Sequence, residues 1–436
     1  MNNLSTQPYK GARDFYPEDM RMQKFIFNTW RAVCERYGYE EYTAPILEPL
    51  ELYLAKSGQE IVNEQTYNFE DRGGRQVTLR PEMTPTVSRM VAARRQELSY
   101  PLRLYSIPNL WRYERPQRGR LREHWQLNVD VFGIEGLEAE IELISLAHDI
   151  MAGFGAKPSM YEIRINSRLL TNKIMSEYLE LDTAGQALMI KLLDRFHKLP
   201  ADEFEQQAID IFENEEKGRV GVTRLTDLLK VKTLDQLPAS LANTPEAKSL
   251  VELLRRLDSH GVANACFDVS LMRGFDYYTD VVFEVYDTNP ENSRSMFGGG
   301  RFDGLVGLFG VAPVPTVGFG MGDVVIGDFL QTHGLLPKLP TETEAYIAVI
   351  GEYVEAAEKL AGTLREEGVC VAVDYSRRAI DKQIRSALNK QIPYVIFVGE
   401  KEAAANRFNI KHLATGQEEE HGPERIVATI LDQRKK

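Results

Sequence analysis

The chain is short of cysteine, has no long apolar run and carries no excess of positive charge, and each shortage removes a class of protein. Its 3 cysteines, Cys34, Cys266 and Cys370, stand far apart in 436 residues. They are too few for a disulfide scaffold, and no CxxC spacing suggests a metal knuckle. Reduced thiols and no protein-bound metal are expected. The longest apolar stretches, Ala345–Ile350 and Tyr394–Val398, are strand-sized and far short of a bilayer span, so no membrane partner is expected. The polar segment Met1–Lys10 has neither a basic start followed by an apolar stretch nor an Arg-rich amphipathic pattern, so residence in the cytoplasm is expected. The formal net charge of −12 argues against nonspecific coating of nucleic acid, which depends on Lys and Arg. A local basic face remains open, because Arg112, Arg115, Arg118, Arg120 and Arg122 crowd one short segment.

What is present reads as globular protein, with 43% hydrophobic and 27% charged residues. A chain of this length exceeds what one core organises, so two or three domains are expected. Apolar residues Met20, Phe25, Ile26, Trp30 and Val33 recur at helical spacing from Pro17 to Tyr37, before Gly38. A Pro-containing strand around Thr43–Leu47 follows. Strands are then predicted at Gln76–Arg80, Leu102–Tyr105, Trp111–Arg115, Trp125–Phe132, Met160–Asn166, Cys266–Ser270 and Tyr277–Tyr286, with short loops that favour antiparallel pairing. Helical patterns at Ala187–Phe196, Phe204–Phe212 and Ala247–His260 mark residues 168–261 as a helical insertion. After a linker at Gly334–Thr343, strands and helices alternate as in a small parallel α/β domain.

Several polar faces stand out. Along Trp125–Phe132 the apolar Trp125, Leu127, Val129 and Val131 alternate with Gln126, Asn128 and Asp130, so one face is core and the other polar. Paired as a hairpin with the preceding strand, Arg112, Glu114, Gln126 and Asp130 would share one floor. Alternation alone also fits the solvated face of an edge hairpin, whereas an arginine-rich loop beside paired acids suits an anionic ligand gripped by guanidinium groups. In Leu79–Thr84, Thr84 before Pro85 reads as a helix cap and Glu82 as a candidate ligand-binding acid. In Met272–Thr279, alternation puts Thr279, Val281 and Phe283 with Tyr277, and Asp280 and Glu284 with Tyr278, so only Tyr278 is expected to face a pocket. Arg273 either reaches that pocket or pairs with Asp276. The glycine-rich Gly298–Gly304 and Gly318–Gly322 are neither a GxGxxG in a βαβ unit nor a P-loop. Their glycines are expected to let backbone approach a ligand or a neighbouring strand.

In this order the segments resemble histidyl-tRNA synthetases, a family of class II aminoacyl-tRNA synthetases. The resemblance runs from Gly11-Ala12-Arg13-Asp14 through the C-terminal α/β domain. Trp111 to Arg120 is similar to the second class-defining motif, and Arg273 to Tyr278 and Gly299 to Leu305 to the two histidine-specific signatures. It implies an α+β catalytic domain whose antiparallel sheet is flanked by helices (1–167 and 262–333), a helical insertion (168–261) and an anticodon-binding α/β domain (343–436). It also implies a cytoplasmic homodimeric ligase that activates L-histidine with ATP and Mg²⁺ and charges tRNA(His), without a prosthetic group. The dimer would form through the helix from Pro17 and the strand after it. Glu82, Met83, Thr84, Gln126, Asp130, Tyr277 and Tyr278 would bind histidine: Glu82, Thr84 and Gln126 its ammonium, Asp130 and Tyr278 its imidazole. Arg112, Glu114, Arg120 and His124 would bind ATP, and the catalytic Arg112 and Arg273 would touch both substrates at the α-phosphate.

Three positions depart from the family pattern. Val325 stands where the third motif carries an ATP-contacting arginine, His124 where many members carry an adenine-stacking phenylalanine, and Asp130 where many carry glutamate. Arg118 or Arg301 is expected to compensate for Val325. One alternative is a noncatalytic relative, the regulatory subunit of ATP phosphoribosyltransferase. Such subunits lack the anticodon domain and commonly lose the Arg273 signature, and both are present here. A prolyl or threonyl synthetase would not share the Arg273 to Tyr278 segment.

Overall fold

Pro17 fixes the first turn of the opening helix, the Tyr16 amide donates to Asp19, and the helix runs Pro17–Arg36 before Gly38 turns the chain with φ +78°. Ile26, Trp30, Val33 and Cys34 form its buried stripe. The computed structural model describes residues 4–54, 65–193, 196, 199–271, 277–292 and 294–434, which fall into two compact units, 1–336 and 337–436.

In the first unit the strands are β1 (Glu40–Glu41), β2 (Leu47–Pro49), β3 (Tyr67–Glu70), β4 (Gln76–Leu79), β5 (Leu102–Ser106), β6 (Asn109–Trp111), β7 (Glu123–Phe132), β8 (Tyr161–Ser167), β9 (Ala265–Phe267), β10 (Val281–Asp287), β11 (Ser295–Arg301) and β12 (Thr316–Gly322). The main sheet has the order β1-β5-β7-β12-β11-β10-β8-β9, with β6 pairing β7, and β2-β4-β3 form a smaller sheet. From β5 to β8 every pairing is antiparallel. Only the outer pairs, β1 with β5 and β8 with β9, are parallel. Helices Pro17–Arg36, Glu138–Gly153 and Asp323–Thr332 cover the apolar face through Leu127, Val129, Val131, Val317, Phe319 and Met321. The helices between β8 and β9, among them Thr183–Leu193, Ala201–Ile209, Glu215–Leu229 and Pro245–Ser259, join the same hydrophobic cluster through Met189, Leu225 and Leu253.

Four strand expectations shift, each for a local reason. Residues 43–46 form no ladder, because the Arg80 guanidinium takes the carbonyls of Ala44 and Pro45 at 2.6 and 3.2 Å. The strand expected at Trp111–Arg115 ends at Trp111, since Glu114 N–H turns back to Arg112 O and Arg122 Nε donates to Glu114 O. The strand expected at Cys266–Ser270 stops at Phe267, where Asp268 accepts from Ser270 N–H and turns the chain. The strand expected from Tyr277 begins only at Val281. The two glycine-rich segments are strands β11 and β12.

The second unit builds a five-stranded sheet from β13 (Ala345–Val349), β14 (Val371–Val373), β15 (Tyr394–Val398), β16 (Phe408–His412) and β17 (Glu418–His421), in the order β14-β13-β15-β16-β17. The first three are parallel, as expected; β16 and β17 add an antiparallel edge. Helices Val354–Glu366, Ile380–Asn389 and Pro423–Gln433 cover it. Among the described residues no helix is long and apolar enough to cross a membrane.

Arg301, at the end of β11, fastens the main sheet to helix Glu138–Gly153. Its guanidinium grips Glu140 with two bonds of 2.6 and 2.8 Å and donates to the carbonyls of Ile134 and Gly136. Both side chains are almost wholly buried. Losing one partner strands the other charge in a low dielectric, so Arg301→Met is expected to cost about 3–5 kcal/mol in denaturant unfolding. Adding Glu140→Leu should recover part of that loss. An R301M variant as stable as the parent would contradict the assignment.

Candidate active site

The polar face of the main sheet floors a cavity of about 550 Å³, lined by Glu82, Thr84, Arg112, Glu114, Arg120, His124, Gln126, Asn128, Tyr277, Tyr278 and Glu284 and by glycines of β11 and β12. Register explains the glycines. Gly318, Gly320 and Gly322 of β12 stand opposite Asp130, Asn128 and Gln126 of β7. Gly300 and Gly298 of β11 stand opposite Gly318 and Gly320 on one side, and Val282 and Glu284 of β10 on the other. A methyl group on Gly318 would lie 2.1 Å from Asp130 Oδ1, and one on Gly320 1.7 Å from Gln126 Nε2. Likewise, methyls on Gly300 and Gly298 would lie 3.1 Å from the Tyr278 ring and 2.9 Å from Glu284 Cγ. Four polar side chains therefore lie flat over a lane two strands wide that only glycine leaves open.

The wall beside the lane is stitched from the Arg80-Pro81-Glu82 segment. Trp111 N–H donates to Arg80 O at 3.1 Å, Arg80 Nε donates to Asn109 O at 3.2 Å, and Arg112 Nε donates to Pro81 O at 2.9 Å. Those bonds fix Glu82 next to Arg112. Glu82 is buried and accepts from the Tyr277 hydroxyl at 3.3 Å. Thr84 is the first residue of helix Thr84–Ala93 and not its cap; Met83 precedes the helix without a side-chain cap. Thr84 lines the cavity, whereas the Met83 side chain is fully buried outside its lining. Arg120 lies 3.6 Å from Glu114 across the mouth.

Both Tyr277 and Tyr278 line the cavity, against the expectation that only one could. Strand alternation does not govern them, because they precede β10 and their rings pack edge to face at 5.0 Å. Burial and the Glu82 charge hold both phenols well above their ordinary range. Arg273 and the rest of 272–276 lie outside the described residues.

Asp130 is buried and lies behind the lining rather than in it. Burial alone pushes its carboxyl up to about 8. His124 is driven down to about 3 by burial and by the charges of Arg112 and Arg13, so a neutral imidazole faces the arginine end. Arg13 itself pairs with Asp323 at 2.7 Å, and Asp323 also accepts from Trp125 N–H. Arg301 does not compensate for Val325: its guanidinium is spent on Glu140 and does not reach the cavity. Arg118 also lies outside the lining, directed at Thr332 and Glu291. The cavity cations among the described residues are Arg112 and Arg120.

Sequence reading missed the lane as a lane, and gave Glu284 no role. Both had signals: the alternate glycines of 318–322, and the parity that put Glu284 with Tyr278. Asp280, given the same parity, leaves the cavity and accepts from Ser167 Oγ at 2.6 Å.

Asp130 makes a pH signature. Its carboxyl titrates near 3.8 when unfolded and near 8 when folded, so stability falls between those limits as pH rises, by roughly 1.4 kcal/mol per unit. His124 moves from 6.5 to about 3 on folding, and contributes a slope of opposite sign below pH 6.5. The two cancel until about pH 6.5, and above it Asp130 acts alone. Asp130→Asn is expected to flatten the decline of the thermal midpoint between pH 6.5 and 8; equal declines in variant and parent would refute this.

Comparison with known proteins bears on this geometry. The family model described as histidyl-tRNA synthetase matches residues 11–322, and one described as anticodon binding domain matches residues 344–433. A histidine–tRNA ligase of Leptospira biflexa is 41% identical over 94% of this chain and 94% of its own length. One of Thermoplasma volcanium is 38% identical over 95% of this chain and 96% of its own. The crystal structure of a histidyl-tRNA synthetase from Nostoc sp. PCC 7120 superposes with a TM-score of 0.82 at 23% identity, covering 99% of this chain and all of that one; at that identity the likeness concerns the fold.

Proposed function

The chain belongs to the histidyl-tRNA synthetase family, and from that premise we propose that it activates L-histidine with ATP and transfers it to tRNA(His). The observation that carries this reading is the convergence of acids and cations in one cavity. Glu82, Gln126 and Tyr278, with Asp130 behind the lining, form one set of groups; Arg112, Arg120 and Glu114, with Arg112 beside Glu82, form the other. A cationic, nitrogen-rich amino acid suits the first set and a triphosphate the second.

In this reading Glu82, Thr84 and Gln126 hold the ammonium, while Asp130 and Tyr278 read the imidazole. With its carboxyl poised near 8, Asp130 can ionise beside a bound cation or donate a proton to a ring nitrogen. Arg112 grips the α-phosphate, Glu114 meets the adenine edge and Arg120 the outer phosphates. His124, kept neutral, offers its ring to the base. ATP arrives with Mg²⁺, which offsets phosphate charge as part of the substrate. The histidine carboxylate attacks the α-phosphate, releasing pyrophosphate and leaving histidyl-adenylate; a ribose hydroxyl at the tRNA end then takes the acyl group. Arg112 supplies charge stabilisation and alignment, and no side-chain nucleophile is needed. Arg273 is assigned to the same phosphate by resemblance alone.

Residues 1–167 and 262–333 are assigned to the catalytic core, 168–261 to an insertion that touches the acceptor stem, and 343–436 to anticodon binding. A cytoplasmic homodimer completes the proposal. Exposed Ile46 and Leu47 in the segment expected to pair, with exposed Leu54 and Phe69, favour burial against a second copy. Leu47→Asp with Phe69→Asp is expected to shift sedimentation from dimer to monomer; a monomeric parent would end this part of the proposal.

Histidine-dependent ATP/pyrophosphate exchange tests the reaction. Exchange with histidine alone among the amino acids is expected, and Arg112→Ala should lower it on the order of 10²–10³-fold. Histidine binding without exchange would favour the regulatory-subunit alternative.

A further inference from the structure

Glu284 is the corner of the glycine lane that the assignments above do not use. Its row is fixed by pairing: Asn128, Gly320, Gly298 and Glu284 are successive cross-strand partners on β7, β12, β11 and β10. The neighbouring row holds Asp130, Gly318, Gly300 and Val282, with the Tyr278 ring over Gly300. On the other side lies Gly322, followed by the cavity-lining Val324 and Val325. Glu284 thus stands between the row of Asp130 and Tyr278, assigned to the imidazole, and the row of Gly322, and across the lane the Gln126 amide leans over Gly320 of its own row.

The carboxylate is aimed. Tyr286 donates its hydroxyl to Glu284 Oε2, and the Arg164 guanidinium lies over the Tyr286 ring at 4.3 Å. Arg164 is held in turn by Glu162 at 2.8 Å and Asp268 at 3.1 Å. A cation over the ring strengthens the phenol as a donor, and the paired acids keep that cation in place. Such an arrangement suits a carboxylate with a positional task better than a solvated one.

An ionised carboxylate only accepts hydrogen bonds. At the junction of amino acid and nucleotide, the histidine carboxylate and the α-phosphate are anions it would repel. The ammonium is matched to Glu82 and Thr84 on the opposite wall. Beside the Mg²⁺ that arrives with ATP, whose part the test below separates, the group that matches an acceptor at this point is a neutral hydroxyl donor. We infer that Glu284 accepts a hydrogen bond from a ribose hydroxyl at the junction of the two substrate ends. This rests on the ligase reading. The hydroxyl belongs either to the ribose of ATP or to the terminal ribose of tRNA, which share the same chemistry.

The full-length protein tests this with Glu284→Gln, which keeps shape and removes charge, and Tyr286→Phe, which leaves the carboxylate in place but unaimed. Affinities for ATP and for 2′,3′-dideoxy-ATP are measured by calorimetry, beside exchange and tRNA charging. If the hydroxyl is that of ATP, E284Q weakens ATP about tenfold or more, dideoxy-ATP hardly at all, and Y286F does the same more mildly. If it is that of tRNA, the nucleotide preference survives and charging falls about tenfold more than exchange. Equal weakening of both nucleotides, loss of histidine affinity alone, a change confined to Mg²⁺ dependence, or no change would each overturn the inference. Should the parent show no histidine-dependent exchange, the ligase reading fails separately. The nucleotide comparison then decides alone, and E284Q without a selective loss of ATP ends the ribose assignment too.

Discussion

A sheet cannot hold a ligand against its backbone while side chains stand in the way, and that steric limit governs the rest of the molecule. Between β7 and β10 the two intervening strands present Gly298, Gly318, Gly320 and Gly322 to the cavity, and the flanking side chains fold inward over the bare backbone. Glycine in strand interiors costs stability, on the order of 1 kcal/mol per position relative to alanine. The opposite face offsets it: Val317, Phe319 and Met321 alternate with those glycines and are buried under three helices. Each of the two strands is permissive on one side and densely packed on the other.

That division lets charge be placed where water is scarce. The carboxyls of Glu82 and Asp130 are buried, and Arg112 is fixed by a backbone carbonyl. Glu82 and Arg112 are thus held before a charged partner arrives, which is the condition under which electrostatic contacts act most strongly on a reaction, while Asp130, poised near 8, answers with its proton. The contrast with Arg301 is instructive, since a guanidinium with two carboxylate bonds and two carbonyl bonds has little left to offer a ligand.

How much of this could be read from sequence depended on whether a signal was local. The alternation of Trp125 to Asp130 gave the core and polar faces of β7, because period two is a property of the strand alone. The helix from Pro17 was equally plain, from its proline, its stripe and Gly38. The ends of the hairpin were not, because Arg112 and Glu114 leave the ladder through side-chain and turn bonds to Pro81 and Arg122 that no pattern encodes. Tyr277 was misjudged for the same reason: alternation was applied to residues that lie before the strand. Arg301 stood in a glycine-rich segment and looked free, but its partner is 161 positions away. The family resemblance named the cavity residues that spacing alone left ambiguous, and it was silent on Glu284, whose parity with Tyr278 pointed to the pocket and whose place in the lane is set by register.

The chain has three tryptophans, and their placement gives it a built-in optical label. Trp30 is fully enclosed, with its indole N–H on Met321 Sδ. Trp111 and Trp125 sit on the two strands that carry the arginine-rich turn, where Trp111 meets Tyr67 and Trp125 meets Phe15 edge to face. Quenching or a spectral shift of the protein's ultraviolet emission therefore reports chiefly on that hairpin, and ligand arrival there can be followed without attaching a dye.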